Sequence, residues 1–188
     1  KVSLVRFEKV PAKAQDLEQL IRWQVRKAAP FRIEDAQVSW ADASEVPGGG
    51  REYFVVMARR DLVHTYEAAC EGAGVHAGTI DIVSTNLVNA ALATRPQLAS
   101  GDWLLVHTEV DYSTLAVVRH GHVIFFRNRA GDAAVEDMGD LVHQTSMYYE
   151  DRLGGSSFGR VVFSGSSRLA DAGERARQQI GERLGGCV

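Results

Sequence analysis

The sequence predicts a mixed α/β protein with two sheets, each carrying helices. Apolar residues alternate with period two in several short stretches and recur at helical spacing in longer ones, and the two patterns take turns along the chain. The predicted order is β-α-β-β-α-β-α, followed by β-β-β-α-β-α. A connector containing proline, Arg95 to Gly101, separates the two series. We therefore expect residues 1–95 and 101–188 to form two domains.

The first domain begins with a predicted strand and helix, followed by a hairpin. Val2 to Val10 alternates apolar and polar residues, and Pro11 to Ala29 carries a helical stripe of apolar residues. Pro30 ends this helix because proline disfavours the helical conformation of the residue before it. Two strand patterns follow, Gln37 to Ala43 and Glu52 to Ala58, and we expect them to pair across a glycine-rich loop.

The rest of the first domain reads as a helix, a strand and a second helix. Arg59 to Ala73 is a predicted amphipathic helix that ends at Gly72 and Gly74. His76 to Val83 is a predicted strand, and Ser84 or Thr85 suits the cap of the next helix. The residues of the amphipathic helix that we expect to face the core are Leu62, Val63, Tyr66, Cys70 and Ala73.

The second domain is organised around the stretch from Asp102 to Arg129. An apolar run (Trp103 to Val106) leads into a polar corner (His107 to Asp111), and the next strand turns at His120-Gly121. Histidine tolerates positive φ better than most residues and glycine adopts it freely, so this pair favours a two-residue hairpin turn. Three strands joined by short corners are therefore expected.

Three further elements complete the second domain. Gly131 to Leu153 is the longest predicted helix, with Met147 and Tyr148 or Tyr149 on its apolar, core-facing side. Arg160 to Phe163 is a predicted strand, and Asp171 to Leu184 a last helix.

Composition narrows the function classes. The 188 residues are 45% hydrophobic and 24% charged, as in an ordinary soluble protein. A net charge of −3 argues against general nucleic-acid binding, which needs a basic face. No apolar run is long enough to span a membrane, which predicts a cytoplasmic protein without direct membrane insertion. The chain starts at Lys1-Val2 in a strand-like run without an initiator methionine, so we expect a fragment of a longer protein.

Several residues suit a binding site, and each has a plainer explanation. Glu109 and Asp111, with Asp102 near them in sequence, offer oxygen ligands for Mg²⁺, or they form a solvated acidic corner. His120 and His122 flank a turn and could contact a metal. A zinc site needs three or four protein ligands, so a plain exposed turn is the favoured interpretation.

Three other positions also have a plainer explanation than a functional site. Ser164-Gly165-Ser166 lacks the G-x-S-x-G frame of a nucleophile elbow, and His107 fits a packed or hydrogen-bonded residue at a strand end. Pro30 and Phe31 either mark the lip of a partner groove or only end a helix and fill the core.

The order and spacing of four stretches resemble one family. Residues Arg26–Phe31 read R-K-A-A-P-F and are followed by R-I-E-D at 32–35. Val55–Tyr66 resembles the strand-helix unit of the same family, and Gly74–Asp81 its next strand. Val161–Ser166 is similar to its adenosine-binding turn. The family is PilM, the cytoplasmic actin-like proteins of type IV pilus assembly.

The resemblance implies an actin-like, ribonuclease H-like fold that is truncated relative to a full actin-like protein. Residues 2–92 resemble the inserted strand-helix-strand-strand subdomain with a linker. Residues from Asp102 onward resemble the second lobe, in which the usual insertion is reduced.

The resemblance also implies a nucleotide site, and the residues present depart from its pattern. The second phosphate loop of the family reads roughly D-I-G-A-S-x-T, whereas His107–Ser113 contains no glycine and two carboxylates. Such a corner repels an anion and cannot bring N–H groups close to it. Ser164–Ser167 keeps one glycine of an S-G-G-x turn. We expect a degenerate site without cofactor, whose remnant is Thr108, Glu109, Asp111, Ser164, Gly165 and Ser166.

The function implied by the resemblance is that of a scaffold, not an enzyme. Such a scaffold lies under the inner membrane, forms a dimer or ring, and binds the cytoplasmic tail of a PilN-like bitopic protein, with Pro30 and Phe31 at the groove. One alternative is an actin-like ATPase in which Glu109 or Asp111 holds Mg²⁺ with ATP. Another is the cytoplasmic domain of a GspL-type protein of type II secretion.

Overall fold

The computed structural model describes residues 1–46, 50–131, 138–165, 174 and 178–182. Within these ranges, seven strands form two sheets, four α-helices accompany them, and residues 174 and 178–182 are also helical. Contacts between residues divide the chain into two compact units, Lys1–Ile82 and Val83–Val188. None of the helices within the described ranges has the length and apolar character needed to cross a membrane.

The first unit contains a three-stranded antiparallel sheet. Its strands are β1 (Val2–Phe7), β2 (Ala36–Val46) and β3 (Gly50–Arg59), and β3 lies in the middle. Helix α1 (Ala14–Val25) connects β1 to β2 through a short 3-10 helix at Ile33–Asp35. The predicted strand, helix and hairpin are thus confirmed. Helix α1 is shorter at both ends than the apolar stripe suggested.

Helix α1 covers one face of this sheet. Ile21 and Val25 are completely or almost completely buried and pack against Val55 of the central strand. The alternation of β3 places Tyr53, Val55 and Met57 on this same face, as expected of a half-buried strand. The helix and the three strands therefore share one core.

Helix α2 (Arg60–Gly72) does not bury the face that its spacing predicted. It contains no buried residue, and the side chains of Leu62 and Tyr66 are 52% and 57% exposed. The inward-facing set predicted above is therefore wrong for the described structure. Apolar spacing shows that a helix has an apolar face, but it does not identify what covers that face.

The end of α2 follows the prediction. Gly74 has a φ of +76°, its N–H donates to the Glu71 carbonyl, and the N–H of Val75 donates to the Cys70 carbonyl. These two bonds form a Schellman motif, in which the left-handed residue is usually glycine.

The predicted strand from His76 to Val83 does not form within the described residues. This segment belongs to neither sheet, and helix α3 (Val83–Thr94) begins at its end. The alternating pattern favours a strand, but a strand also requires a neighbour that supplies backbone hydrogen bonds. Ser84 was expected as a cap, yet it lies inside α3, and its hydroxyl donates to Thr114 Oγ1 at 3.3 Å.

The second unit is built on a four-stranded sheet in the order β6-β5-β4-β7. Strands β4 (Asp102–Thr108), β5 (Tyr112–Arg119) and β6 (His122–Ala130) are antiparallel, and β7 (Arg160–Gly165) runs parallel to β4. The predicted two-residue turn is confirmed, because His120 and Gly121 have φ values of 49° and 82°.

Helices cover both faces of this sheet. Helix α4 (Met138–Leu153) packs with Leu104 and Val106 of β4 on one face. On the other face, Val88 and Ala91 of α3 pack with Trp103 and Leu105. A strand buried on both sides reads as a continuous apolar run, which explains Trp103–Val106. This packing also explains why the observed division falls at Ile82–Val83 and not at the predicted 95–101.

The core-facing side of α4 agrees with the prediction for one of the two tyrosines but not for Met147. Tyr149 is buried, whereas Met147 and Tyr148 are 49% and 45% exposed. Residues 132–137, where the long helix was predicted to start, lie outside the described ranges, as does most of the predicted last helix.

A cluster of three side chains fixes the C-terminal part of α4 to the start of β4. Asp102 Oδ2 accepts hydrogen bonds from Arg119 Nε at 2.7 Å and from the Tyr149 hydroxyl at 2.5 Å. Arg119 Nη1 also donates to the Leu153 carbonyl at 2.9 Å. We call Asp102, Arg119 and Tyr149 the edge cluster.

Candidate functional site

Strands β4 and β7 end side by side because they are parallel. His107 pairs with Ser164, and Thr108 pairs with Gly165. The corner between β4 and β5, residues 109–111, follows immediately. The structure therefore brings Thr108, Ser164 and Gly165 together, with the corner next to them, whereas Ser166 lies outside the described residues. We call this region the corner site.

The backbone of the corner is partly used by its own hydrogen bonds. The N–H of Glu109 donates to the Tyr112 carbonyl at 2.8 Å, and the Asp111 carbonyl accepts from the N–H of Gly131 at 2.9 Å. A backbone anion site needs N–H groups that point towards the ligand. The Glu109 N–H is therefore already used within the turn.

Gly165 has a packing role. A Cβ atom built on Gly165 would lie 2.8 Å from Thr108 Oγ1 and 3.3 Å from the Thr108 carbonyl oxygen. Thr108 itself is buried. The one glycine that remains of the expected adenosine turn is therefore needed to let β7 lie against β4.

His107 is the most deeply buried titratable group of the corner site, with 3% of its side chain exposed. Its Nε2 lies 3.3 Å from the Tyr112 hydroxyl and 3.8 Å from a Glu109 carboxylate oxygen. Burial lowers the pKa of His107, and Glu109 and the Ser164 backbone oppose that shift. The expectation of a packed, hydrogen-bonded histidine is confirmed.

This lowered pKa predicts that acid destabilises the protein through His107. As pH falls below about 6.5, the unfolded chain takes up a proton that the buried imidazole resists, so the free energy of unfolding decreases. We expect the difference in urea midpoint between pH 7.5 and pH 5.5 to be smaller in His107→Asn than in the natural chain. Equal differences in the two proteins would contradict this prediction.

A second polar group lies on the same sheet face and was missed by sequence reasoning. Thr114, which pairs with His107, accepts hydrogen bonds at its Oγ1 from Ser84 (3.3 Å) and from Asn128 Nδ2 (2.8 Å). The signal was present in the alternation of β5, which places Thr114 on the same face as the apolar residues of its neighbours. These bonds satisfy polar atoms inside the core, as buried groups require.

Of the predicted metal ligands, Glu109 and Asp111 lie in the same corner, but Asp102 is far from both. Asp102 begins β4 and Glu109 follows its end, so a whole strand of about 20 Å separates them. Asp102 is also bound in the edge cluster. His120 and His122 are exposed at the hairpin turn. Across the described ranges, no three residues among the histidines, cysteines and carboxylates are grouped to hold a metal ion.

Phe31 lies at a cavity of about 670 Å³ in the first unit. It is half-buried and also packs against the core beneath the sheet, so the two interpretations given for it are compatible. Pro30 is exposed beside it and does not line the cavity. We call this space the Phe31 cavity; the other lining residues are Arg32, Glu34, Asp35, Arg59, Arg60, Asp61 and His64.

Comparison with known proteins identifies the fold. No protein-family model and no curated protein sequence matches the chain. A chain of a solved "PilM-PilN type IV pilus biogenesis complex" matches with a TM-score of 0.70 at 17% identity. The match covers 98% of this chain and 65% of that one.

Two other solved structures are similar. A protein of unknown function from Bacteroides thetaiotaomicron, described as having an actin-like ATPase fold, gives a TM-score of 0.55 at 8% identity. The match covers 97% of this chain and 62% of that protein's chain. The third structure is the cytoplasmic domain of EpsL, an inner membrane component of the type II secretion system of Vibrio cholerae. It gives a TM-score of 0.48 at 11% identity, and the match covers 94% of this chain and 70% of that one.

The first two matches agree with the architecture described above. This chain spans less than two thirds of the length of either protein. The predicted fold class, a mixed α/β chain with two sheets that corresponds to part of an actin-like protein, is confirmed, and with it the predicted likeness to PilM at the level of the fold. The chain therefore has part of the fold that these two structures show, and the second of them is described as actin-like.

Proposed function

We propose that this protein is a scaffold of a type IV pilus or related secretion assembly and binds the cytoplasmic tail of a PilN-like membrane protein. The observation that carries the proposal is the match over 98% of the chain to a chain of the PilM–PilN complex. The scaffold acts in the cytoplasm, peripheral to the inner membrane through its partner. Self-association into a dimer or ring belongs to the same proposal.

The Phe31 cavity is the proposed place for the tail. An extended peptide binds well where a preformed groove offers an apolar contact together with polar groups. Phe31 supplies the apolar contact, and both of the nearby helical segments, Ile33–Asp35 and the start of α2, supply charged side chains. The cavity is lined by residues of the first unit, whereas the corner site belongs to the second.

Calorimetry with the tail peptide tests the proposal. The natural chain is expected to bind a synthetic cytoplasmic tail of the PilN-like protein from the same genome. Phe31→Ala is expected to weaken binding about tenfold or more, because a buried aromatic contact often dominates a peptide interface. Trp23→Ala removes an exposed aromatic of the same unit outside the cavity and serves as the control. A natural chain that does not bind would refute the proposal.

The corner site is proposed to be degenerate. Its turn uses the Glu109 N–H, and the same turn carries two carboxylates, Glu109 and Asp111. Both features disfavour a triphosphate.

We accordingly expect no thermal stabilisation by nucleotide. A ligand that binds only the folded state increases the free energy of unfolding by mass action, by about 2.7 kcal/mol when its concentration is a hundred times its Kd. The melting temperature rises as a consequence. The melting temperature with millimolar ATP and Mg²⁺ should therefore equal that with Mg²⁺ alone. A reproducible rise would favour the ATPase alternative, with Glu109 or Asp111 at the metal.

A further inference from the structure

The charges around the Phe31 cavity are mostly paired with one another. Arg32 Nε lies 3.8 Å from Glu34 and 4.0 Å from Asp35, so one guanidinium faces two carboxylates. Arg59 binds Asp61 through both of its fork nitrogens, with Nε 3.0 Å from Oδ1. Five of the six charged side chains other than His64 thus have partners of opposite sign.

The contact with Arg59 also affects the carboxyl group of Asp61. The hydrogen bonds from Arg59 hold the pKa of Asp61 below its ordinary value, so this carboxylate stays ionised and committed to Arg59 at neutral pH. Because exposed pairs contribute little to stability, this arrangement matters for the local charge pattern more than for the fold.

Arg60 is the remaining charged residue of the cavity. No carboxylate among the described residues lies within ion-pair distance of its guanidinium. Its Nη2 donates to the Ala36 carbonyl at 3.3 Å, a contact that links it to the start of β2. One bond occupies one of five guanidinium donors, so the others can receive a ligand.

From this pattern we infer that the Phe31 cavity takes an extended peptide that places a carboxylate on Arg60 and an apolar side chain against Phe31. This inference rests on the proposed function and specifies the chemistry of its partner. Guanidinium and carboxylate groups match in geometry and form charge-assisted hydrogen bonds, which makes arginine well suited to reading an acidic residue in a peptide.

The same pattern argues against other occupants. The cavity carries three arginines and three carboxylates, so its formal charge is zero and a polyanion such as nucleic acid gains no general attraction. A small inorganic anion would use Arg60 but make no use of Phe31. An acidic, apolar peptide uses both.

Calorimetry with two peptides and three variants tests the inference. The peptides are the cytoplasmic tail of the PilN-like protein and the same tail with every Asp and Glu changed to Asn and Gln. Arg60→Gln removes the charge, Arg60→Lys keeps it, and Arg26→Gln removes an exposed arginine outside the cavity. We expect Arg60→Gln to weaken tail binding about tenfold and to reduce its salt dependence. Arg60→Lys should lose less, and Arg26→Gln should bind like the natural chain.

The peptide with Asn and Gln in place of Asp and Glu tests the same contact from the side of the ligand. It should bind the natural chain as weakly as the natural tail binds Arg60→Gln, and Arg60→Gln should weaken it no further. Tight tail binding that is unchanged by Arg60→Gln or by the amide substitutions would overturn the inference and leave the proposed function standing. No binding of either peptide by the natural chain would overturn both.

Discussion

Replacing Gly155 with alanine is expected to lower the free energy of unfolding by about 3 kcal/mol. A Cβ atom at this position would lie 1.9 Å from Cζ of Tyr149 and 2.1 Å from Cε1. The ring cannot easily move, because it stacks on Phe158 with centroids 4.5 Å apart and its hydroxyl binds Asp102. The backbone is also tied, since the N–H of Gly155 donates to the Tyr149 carbonyl at 3.1 Å.

Urea unfolding followed by circular dichroism measures this loss. The matched control is Gly72→Ala at the end of α2, where a Cβ atom would meet nothing within 4 Å. Alanine is the better helix former, so the control should be neutral or slightly stabilising. If Gly155→Ala unfolds at the same urea concentration as the control, the close packing of Tyr149 against this loop is wrong.

Much of the fold follows from local patterns. The hairpin of β2 and β3, the turn at His120-Gly121 and the buried strand β4 are each specified by residues close together in sequence. Period-two alternation and a residue pair that tolerates positive φ need no distant partner to be recognised. These features were predicted correctly for that reason.

The errors concern elements whose state depends on what lies against them. Helix α2 has an apolar stripe that includes Leu62 and Tyr66, yet both side chains are exposed. Residues 76–82 have the alternating pattern of a strand, yet they form no strand within the described ranges. Amphipathicity and alternation give the direction of an apolar face, while burial requires a covering surface. Sequence alone does not supply that surface.

The candidate sites show the same division. The absence of glycine from His107–Ser113 was visible in the sequence, and so was the single glycine of Ser164–Ser167. That Gly165 lies against Thr108, and that Arg60 reaches the cavity of Phe31, depends on strand register and on the path from β3 into α2. Long-range register is not readable from residue types.

The second large effect is expected from Asp102→Ala. This carboxylate is 16% exposed and accepts hydrogen bonds from Arg119, whose side chain is 31% exposed, and from Tyr149. Breaking a buried ion pair costs about 3–5 kcal/mol because the other charge is left without a partner. Partial exposure of Arg119 to water reduces this cost, so we expect the free energy of unfolding to fall by about 2–3 kcal/mol.

A double-mutant cycle measures the interaction between Asp102 and Tyr149 separately from the effect of removing a negative charge. Asp102→Ala, Tyr149→Phe and the double variant should show a coupling energy of about 1–2 kcal/mol in urea unfolding, since the two side chains share one hydrogen bond. Asp151→Ala removes an exposed carboxylate of α4 and should change stability by less than about 0.5 kcal/mol. Additive effects at Asp102 and Tyr149 would mean that their 2.5 Å contact does not hold α4 to the start of β4.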